Sequence, residues 1–332
     1  MPPAIQSDLS GIISEQMGRQ ILQSATQSSV VLRLATIQRM TTAQGSIPVL
    51  SALPSAKFLA GVGSSKPITR MEWTTEHIVA EEVAAILPLP TAWLDDSQFN
   101  VWAEVRPRLA EAVAQTIDLA VLTGQGAPAS FPNGGVMAMA GDPIQAVGPP
   151  GQPDIVAAIS DAMQQVEDTG LEVNGFAARS TVRGALRGVR TTTGEWLVWA
   201  PDEPGAPASM FGVPLVYTTM GFGSLDNPDL IAGDWTALVI GLREDMRFDI
   251  STEGVLYEDG QVIASAFQDD LALMRVYMRL GCAIGRPLIK RPDGTDGFGD
   301  PFAAVNAPVR TAATRASVSG SGKTATASAS SK

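Results

Sequence analysis

The residue types that most often carry enzyme chemistry are scarce in this chain. It has one histidine, His77, and one cysteine, Cys282, among 332 residues. Serine-protease triads and histidine-rich zinc sites both require histidines near their other members. His77 lies on a predicted strand, and we expect it at a surface or a subunit interface. Cys282 lies in the apolar run LGCAIG, where an unpaired cysteine usually packs as a small buried hydrophobe.

Neighbouring carboxylates occur at several places, and such groups can act as a general acid and a general base. Side chains adjacent in sequence point to opposite faces of a strand, however, so these pairs do not converge on one reacting atom. We interpret them as solvated or helix-capping charges and predict no catalytic residue and no metal site. The pairs in question are Glu81–Glu82, Asp95–Asp96, Glu244–Asp245 and Asp269–Asp270.

The tail contains one segment that imitates a phosphate-binding loop. SVSGSGKT, residues 317–324, ends like a P-loop but has Ser317 where the first glycine is required. No apolar strand precedes it, and residues 325–332 are too few for the helix whose N-terminus would hold phosphate. The surrounding Ala, Ser, Thr and Gly composition explains the match, so we predict no cofactor.

Composition restricts the classes of function further. Hydrophobic residues make up 45% of the chain and charged residues 17%, and 23 basic against 34 acidic residues give a net charge of −11. This apolar balance fits a self-assembling subunit whose surface is covered by other copies, although a large ligand pocket would also fit. An acidic chain without a basic run disfavours tight nucleic-acid binding. No apolar run has membrane length, and the best is broken by Pro88 and Pro90.

The first half of the chain predicts an arm, a hairpin and one long helix. Residues 1–29 have a loose helical period, and VVLRLAT, residues 30–36, predicts a strand. Residues 41–67 are rich in Gly, Pro and Ser and predict a loose hairpin tip before the next strand. A long amphipathic helix follows, started by the acidic cap Asp95, Asp96 and Ser97 and ended by Gly124 and Gly126. Because of Pro107, a kink or a break in this helix is expected between Ala103 and Arg106.

The second half predicts another folding unit and then a run of strands. A helix is expected from Pro153 to a stop at Gly170. Short strands are predicted at residues 175–180 and in GVPLVYTT, with a short basic helix between them. From Leu230 the pattern is β-rich, and LALMRVYMRLGCAIGRPLI favours a long strand. After residue 311 the composition predicts a tail that does not fold alone.

Six segments, taken in order, resemble the major capsid proteins of tailed phages with the HK97 fold. HIVAEEVAAI followed by LDDS looks like the strand that leads into the family's long spine helix. EVRPRLAEAVAQTIDLAVLTGQG resembles that helix, with Asp118 near its end. The remaining matches are FPNGGV, FGVPLVYTT, AGDWTALVIGLREDMRFDIS and LALMRVYMRLGCAIGRP.

This resemblance implies an α+β chain with the HK97-like architecture of arm, extended hairpin, peripheral domain and axial domain. It implies hexamers and pentamers that close an icosahedral shell around double-stranded phage DNA. The implied partners are other copies, a portal, a separate scaffold or protease, and decoration proteins. The implied locations are the virion capsid and, before assembly, the host cytoplasm. The implied domain boundaries are residues 1–36 for the N-terminal arm, 37–86 for the extended loop with its flanking strands, and 87–151 for the peripheral domain with the spine helix. Residues 152–232 form the axial domain, 233–308 the return strands of the peripheral domain, and 309–332 a C-terminal tail that is flexible or ordered by a partner.

Intersubunit contacts are expected where apolar side chains stand on projecting or proline-rich segments. The hairpin cannot bury its own apolar residues, and the proline-rich stretch near 201–214 is expected at the axis of the hexamer or pentamer. Trp196 and Trp199 would then be buried only in the assembled ring. The predicted contact residues are Leu53, Phe58, Leu59, Trp73, Trp196, Trp199, Pro204 and Met210.

Three alternatives remain at this stage. An encapsulin-type nanocompartment shares the fold and would hold cargo proteins instead of DNA. An α+β enzyme would need a nucleophile or metal site that the sequence does not offer. A decoration or tail component of a phage is the third alternative, and the pattern of the long spine helix argues against it.

Overall fold

The computed structural model describes residues 29–52, 58, 68–69, 71–96, 101–146, 154–187, 189, 209–219, 221–258, 260–290 and 296–307. The predicted arm before Ser29, Pro153, the Trp196–Trp199 segment and the tail from 308 lie outside these residues. In the described part, the helices are α1 (Val30–Leu34), α2 (Thr91–Asp96), α3 (Val101–Thr123), α4 (Gly135–Met139), α5 (Ile155–Glu167) and α6 (Val182–Leu186), with a 3₁₀ turn at Trp235–Ala237.

Strands form two larger sheets and three two-stranded ribbons in the described part of the chain. In chain order they are β1 (Thr36–Arg39), β2 (Gln44–Ala52), β3 (Glu72–Val79), β4 (Glu81–Pro90), β5 (Ile144–Gln145), β6 (Gly175–Arg179), β7 (Ser209–Met210), β8 (Val213–Thr218), β9 (Leu230–Gly233), β10 (Leu238–Ser251), β11 (Val255–Glu258), β12 (Gln261–Ser265), β13 (Leu271–Ile284), β14 (Leu288–Lys290), β15 (Asp296–Phe298) and β16 (Phe302–Asn306).

The first sheet has the order β1-β10-β13-β4. Its centre is the antiparallel pair β10 and β13, each 14 residues long, which confirms the strand predicted for LALMRVYMRLGCAI. β1 joins β10 in parallel, and β4 pairs with the opposite edge of β13. Pro88 and Pro90 belong to β4 and so lie in an edge strand, where a residue without an N–H is tolerated. Side chains of this sheet pack with the long helix α3 in one hydrophobic cluster.

Helix α3 follows the predicted apolar stripe, with Val113, Ile117 and Val121 buried at its inner face. The break expected between Ala103 and Arg106 is wrong, because one continuous helix runs from Val101 to Thr123 through Pro107, while the alternative of a kink stays a prediction. The predicted stop is confirmed, since the helix ends at Thr123 and Gly124 has a φ of +72°. A left-handed residue of this kind is the common helix terminator.

The acidic residues before the long helix have a different place from the one predicted. Asp95 and Asp96 are the last two residues of the short helix α2 and not the first residues of α3, which begins at Val101. Threonine at position 91 opens α2, and its hydroxyl and amide both donate to the carbonyl oxygen of Asp270. This tertiary contact with Asp270, the residue just before β13, thus starts a helix that the local sequence did not indicate.

Residues 30–34 form the helix α1, so the strand predicted for residues 30–36 is wrong. The β-branched Val30 and Val31 favour extended structure, but the carboxylate of Asp118 accepts from their backbone N–H groups at 3.0 and 3.1 Å. The Ser29 hydroxyl donates to the same carboxylate at 2.5 Å and accepts from Leu32 N–H at 3.0 Å. These contacts satisfy the free donors of a helix N-terminus, and the tertiary structure overrides the local preference.

The second sheet has the order β5-β16-β9-β6-β8-β7 and is covered by α5. Helix α5 begins after Asp154, whose side chain accepts from Ala157 N–H at 2.9 Å, and Gly170 follows it with a φ of +79°. The predicted stop at Gly170 and the strands at 175–179 and 213–218 are confirmed. Ile159, Phe176 and Leu230 lie in the second hydrophobic cluster, which joins helix and sheet.

The ribbon β2–β3 is the projecting hairpin. Its strands pair from Gln44–Val79 at the base to Ala52–Glu72 at the far end. The predicted hairpin is confirmed, but its first strand starts at Gln44, inside the stretch predicted to be a loose tip, and not at residue 30. Only Ile78 of β3 is buried, while Glu72–His77 are exposed. The hairpin therefore buries β3 only near its base, while β2 also lies near β14.

The Asp118 contacts give a first prediction. Asp118→Ala removes the acceptor for three buried donors, and the free energy of unfolding should fall by about 3 kcal/mol or more. The measurement is chemical denaturation of unassembled subunits. Asp161, an exposed residue of α5, provides the control, and Asp161→Ala should change stability by less than about 0.5 kcal/mol. Equal stability of the two variants would contradict the anchoring role of Asp118.

Candidate assembly interface

Of the side chains considered for chemistry, His77 and Cys282 line the same cleft, which is described below. His77 is exposed on β3. Within the described residues, no cluster of three or more His, Cys, Asp or Glu side chains is arranged to hold a metal ion, and no helix is long and apolar enough to cross a membrane.

The acidic pairs hold the fold together instead of facing each other. Glu81 accepts from the Ser130 hydroxyl at 2.7 Å, and Asp269 accepts from Ser265 N–H at 2.9 Å. Glu244 and Asp245 form ion pairs with different arginines, Arg247 at 3.3 Å and Arg39 at 3.2 Å. Each of these four carboxylates has its own partner elsewhere in the fold, so neighbours in sequence do not face each other as an acid–base pair.

Two titratable groups are deeply buried. Burial raises the pKa of the Asp118 carboxyl from 3.8 to about 6, although its hydrogen bonds from Ser29, Val30 and Val31 lower it. Burial also raises the pKa of the Cys282 thiol to about 12. Neither group has a basic partner that would activate it, so their positions indicate packing and anchoring and not catalysis.

One buried ion pair connects three parts of the second sheet. Arg179 of β6 lies 3.1 Å from the carboxylate of Asp229 and also donates to the Ser224 carbonyl oxygen at 2.7 Å. Asp229 accepts from Ala307 N–H at 3.1 Å. Burial raises the pKa of Asp229, while the charge of Arg179 lowers it. The pair fixes the loop before β9 and the end of β16.

A cleft of about 430 Å³ lies beside the base of the hairpin. Its wall combines the polar side chains of His77 and Arg286 with the apolar ones of Phe131, Met139 and Phe298. Arg286 is already paired with Asp300. Cys282 also belongs to the lining, but burial raises the pKa of its thiol to about 12, so the cleft presents a mixed surface next to the hairpin without an activated nucleophile.

Apolar side chains are exposed along the hairpin and its tip. Trp73 is 60% exposed, Met71 51%, and Ile68 92%, and Phe58 is fully exposed. Exposed apolar groups of this size, concentrated on one projecting element, are typical of surfaces that another protein covers. The hairpin is the first candidate assembly surface.

The ribbon β11–β12 is a second candidate assembly surface. It extends beyond the first sheet between β10 and β13 and pairs only with itself. Its exposed apolar residues are Val255, Tyr257, Val262, Ile263 and Phe267. The sequence pattern of the β11–β12 segment predicted only that it is β-rich. The signal that could have found it is the run of apolar residues on both sides of the turn-forming pair Asp259–Gly260.

The predicted contact residues fall into three groups. Phe58 and Trp73 are exposed, as an intersubunit contact requires. Met210 is 7% exposed and belongs to the second hydrophobic cluster of its own chain, so its contact with another subunit stays a prediction. The residues outside the described part of the chain are Leu53, Leu59, Trp196, Trp199 and Pro204.

Comparisons with known proteins agree with this geometry. The model of the Phage capsid family matches residues 10–288. The major capsid protein of Staphylococcus phage 80alpha is 23% identical over 301 residues, which cover 86% of this chain and 88% of that protein. A solved structure from Microbacterium phage Oxtober96 is 26% identical with a TM-score of 0.68, over 84% of this chain and 91% of that one. One from Mycobacterium phage Adephagia is 24% identical with a TM-score of 0.71, over 86% and 92%.

The long helix, the two sheets and the projecting hairpin define a phage capsid protein with the HK97 fold. The chain belongs to the Phage capsid family. The expectations of a major capsid protein, a structural and not an enzymatic role, and an α+β HK97-like fold are thereby confirmed. The encapsulin alternative is not favoured.

The buried thiol gives a second prediction. Because the thiolate is the reactive form and the pKa of Cys282 is raised to about 12, a thiol reagent at pH 8 should label the folded protein at least about 100-fold more slowly than the unfolded chain. The same protein in concentrated guanidinium chloride is the control and should react at one site. Rapid stoichiometric labelling of folded subunits would contradict the packing of Cys282.

Proposed function

We propose that copies of this chain assemble as hexamers and pentamers into an icosahedral shell that encloses the double-stranded DNA of a tailed phage. The observation that carries the proposal is the exposed apolar surface on β2–β3 and β11–β12, two ribbons that their own subunit does not cover. Isolated two-stranded ribbons are marginally stable in water. Neighbouring copies supply the missing contacts.

We assign the helix α3 and the first sheet to a peripheral domain, and α5 with the second sheet to an axial domain. The two hydrophobic clusters support this division, since one contains α3 with β10 and β13 and the other contains α5 with β6 and β9. Ala177 of β6 and Ile231 of β9 also join the first cluster and so connect the two units. β16 falls in the predicted peripheral range 233–308 but pairs with β9. The chain thus returns to the axial domain after β13, and the two domains exchange segments.

The hairpin is proposed to lie across the next subunit. Burying the exposed part of Trp73, which is 60% of its surface, would contribute about 3 kcal/mol. The free edges of β2 and β3 can add to a neighbouring sheet through backbone hydrogen bonds. A contact of this strength is modest alone, but it recurs with every subunit, and repeated contacts make a closed shell much more stable than one pair.

The charge of the chain suits a container that does not bind its contents tightly. The net charge is −11, so the subunit as a whole repels the phosphate backbone and contributes no large counterion-release term. We infer that DNA is enclosed without sequence-specific contacts. By resemblance to the family, a portal and a separate scaffold or protease take part in assembly, decoration proteins can join the shell, and subunits accumulate in the host cytoplasm before they enter the virion.

Assembly itself is the third prediction. Purified wild-type protein, or its shells isolated from lysates, should appear as rings or closed shells in electron micrographs. Shells that form during infection should protect genomic DNA from nuclease. Packaged protein cargo without DNA would favour a nanocompartment, and a lone compact monomer at high concentration would contradict the proposed function.

The hairpin contact gives a fourth prediction. Trp73→Ser removes the largest exposed apolar group of β3 and should reduce the yield of shells by at least about tenfold, because each tenfold corresponds to 1.4 kcal/mol. Subunits should remain folded by circular dichroism, since Trp73 is outside the core.

Trp93 of α2 provides a matched control, because it is 65% exposed and lies off the hairpin. Trp93→Ser should have a smaller effect on shell yield, measured by sedimentation and microscopy. Equal loss in both variants would show that the effect is not specific to the hairpin.

A further inference from the structure

The base of the hairpin rests against two glycines in the first sheet. Gly241 of β10 and Gly281 of β13 are register partners and so lie directly opposite each other. Without side chains, they leave a hollow in the sheet. Ile78, which is 2% exposed, packs into this hollow. It is the buried residue of a strand whose other described side chains, from Glu72 to His77, are exposed.

The fit at Gly281 leaves no room for a side chain. A Cβ built there would lie 2.6 Å from the carbonyl oxygen of Val79 and closer still to Cγ2 of Ile78. Ordinary van der Waals contact begins near 3.4 Å, so the hairpin backbone itself would have to move. Glycine is the residue that permits this close approach of two backbones.

The fit at Gly241 is of a different kind. A Cβ there would meet Sδ of Met40 and, at 3.0 Å, Cγ2 of Ile78. Both atoms belong to side chains, and the thioether of methionine is flexible. The two glycines therefore differ in what surrounds them, backbone at Gly281 and an adaptable side chain at Gly241.

The chain is tied to the body just before the hairpin, and the two strands are tied to each other at the base of the hairpin. Met40 N–H donates to the Leu242 carbonyl oxygen at 2.8 Å, and Ala80 N–H donates to the Ala43 carbonyl oxygen at 2.8 Å. Ile78 itself is paired with Gly45 of β2. Farther along the ribbon, β2 also comes near β14, but Ile78 is the buried residue of β3, so the packing around Ile78 sets the direction of this strand.

We propose that Gly241 and Gly281 form a socket for Ile78 that fixes the angle at which the hairpin leaves the subunit, and that this angle decides whether neighbouring copies close into a shell. The effect of the angle on shell closure rests on the proposed function, whereas the socket and its control of the hairpin angle do not. A displacement of about 1 Å across a ribbon about 5 Å wide is a tilt of about 10°, which moves a residue six positions along the strand by about 4 Å.

The test compares three alanine variants. Gly281→Ala should tilt the hairpin, and Gly241→Ala should have a smaller effect because Met40 can move. Gly285, just after β13, is the matched control, since its added Cβ would meet only Ala237 O at 3.6 Å. Gly285→Ala should behave as wild type in every measurement.

The direction of the hairpin is measured on unassembled subunits in a Cys282→Ala background. Spin labels at Glu72→Cys on the hairpin and Thr116→Cys on α3 report the distance between them by pulsed electron resonance. Gly281→Ala should shift this distance by about 4 Å. In assembly assays without labels, the same substitution should lower the yield of closed shells at least about tenfold.

An unchanged distance in folded Gly281→Ala subunits would overturn the socket, and shells of normal yield and diameter would overturn its role in shell closure. Should Gly281→Ala fail to fold, Ile78→Ala decides the matter by emptying the socket: a broadened distance distribution supports it, and an unchanged one overturns it. Should wild-type protein form no shells at all, the proposed function fails, while the distance measurement still determines whether the socket directs the hairpin.

Discussion

A single buried carboxylate connects the body of this subunit to the segments that leave it. Asp118 lies on the inner face of the long helix, where an unsatisfied charge would be very costly, and the raised pKa of its carboxyl reflects that burial. The hydroxyl of Ser29 and two backbone N–H groups satisfy it. These bonds start α1 at a fixed point on the helix. The strand β1 and the hairpin follow from there, so the carboxylate determines where the chain leaves the core.

Local sequence predicted those parts of the fold whose stability is local. The stripe of Val113, Ile117 and Val121 and the terminating Gly124 are enough to identify the long helix, and the apolar run of β13 identifies its strand. Helix α1 could not be predicted, because its donors are satisfied by a residue almost ninety positions later in the chain. The break expected at Pro107 is absent for a related reason, because packing of the helix face in the first hydrophobic cluster stabilises a helix that contains a proline.

The candidate surfaces were only partly predictable. Trp73 could be placed on a hairpin without a core of its own, and its exposure follows from that. Tyr257 and Phe267 were missed, because a β-rich pattern does not reveal which ribbon extends past the edge of its sheet. The glycine socket was also invisible in the sequence, since Gly241 and Gly281 become partners only when β10 and β13 pair. Exposure and close approach are properties of the folded chain.

The position of Pro88 and Pro90 has a consequence for the geometry of growth. Both stand in β4, the outermost strand of the first sheet, and neither has an N–H to offer to an incoming strand. Proteins whose sheets can extend laterally without limit tend to form fibrils, and proline at the border is one of the devices that prevents it. A subunit that binds many copies of itself also needs strand edges that cannot pair with another strand. In this chain the two prolines make the outer edge of β4 unsuitable for strand addition, which favours closed particles over open-ended filaments.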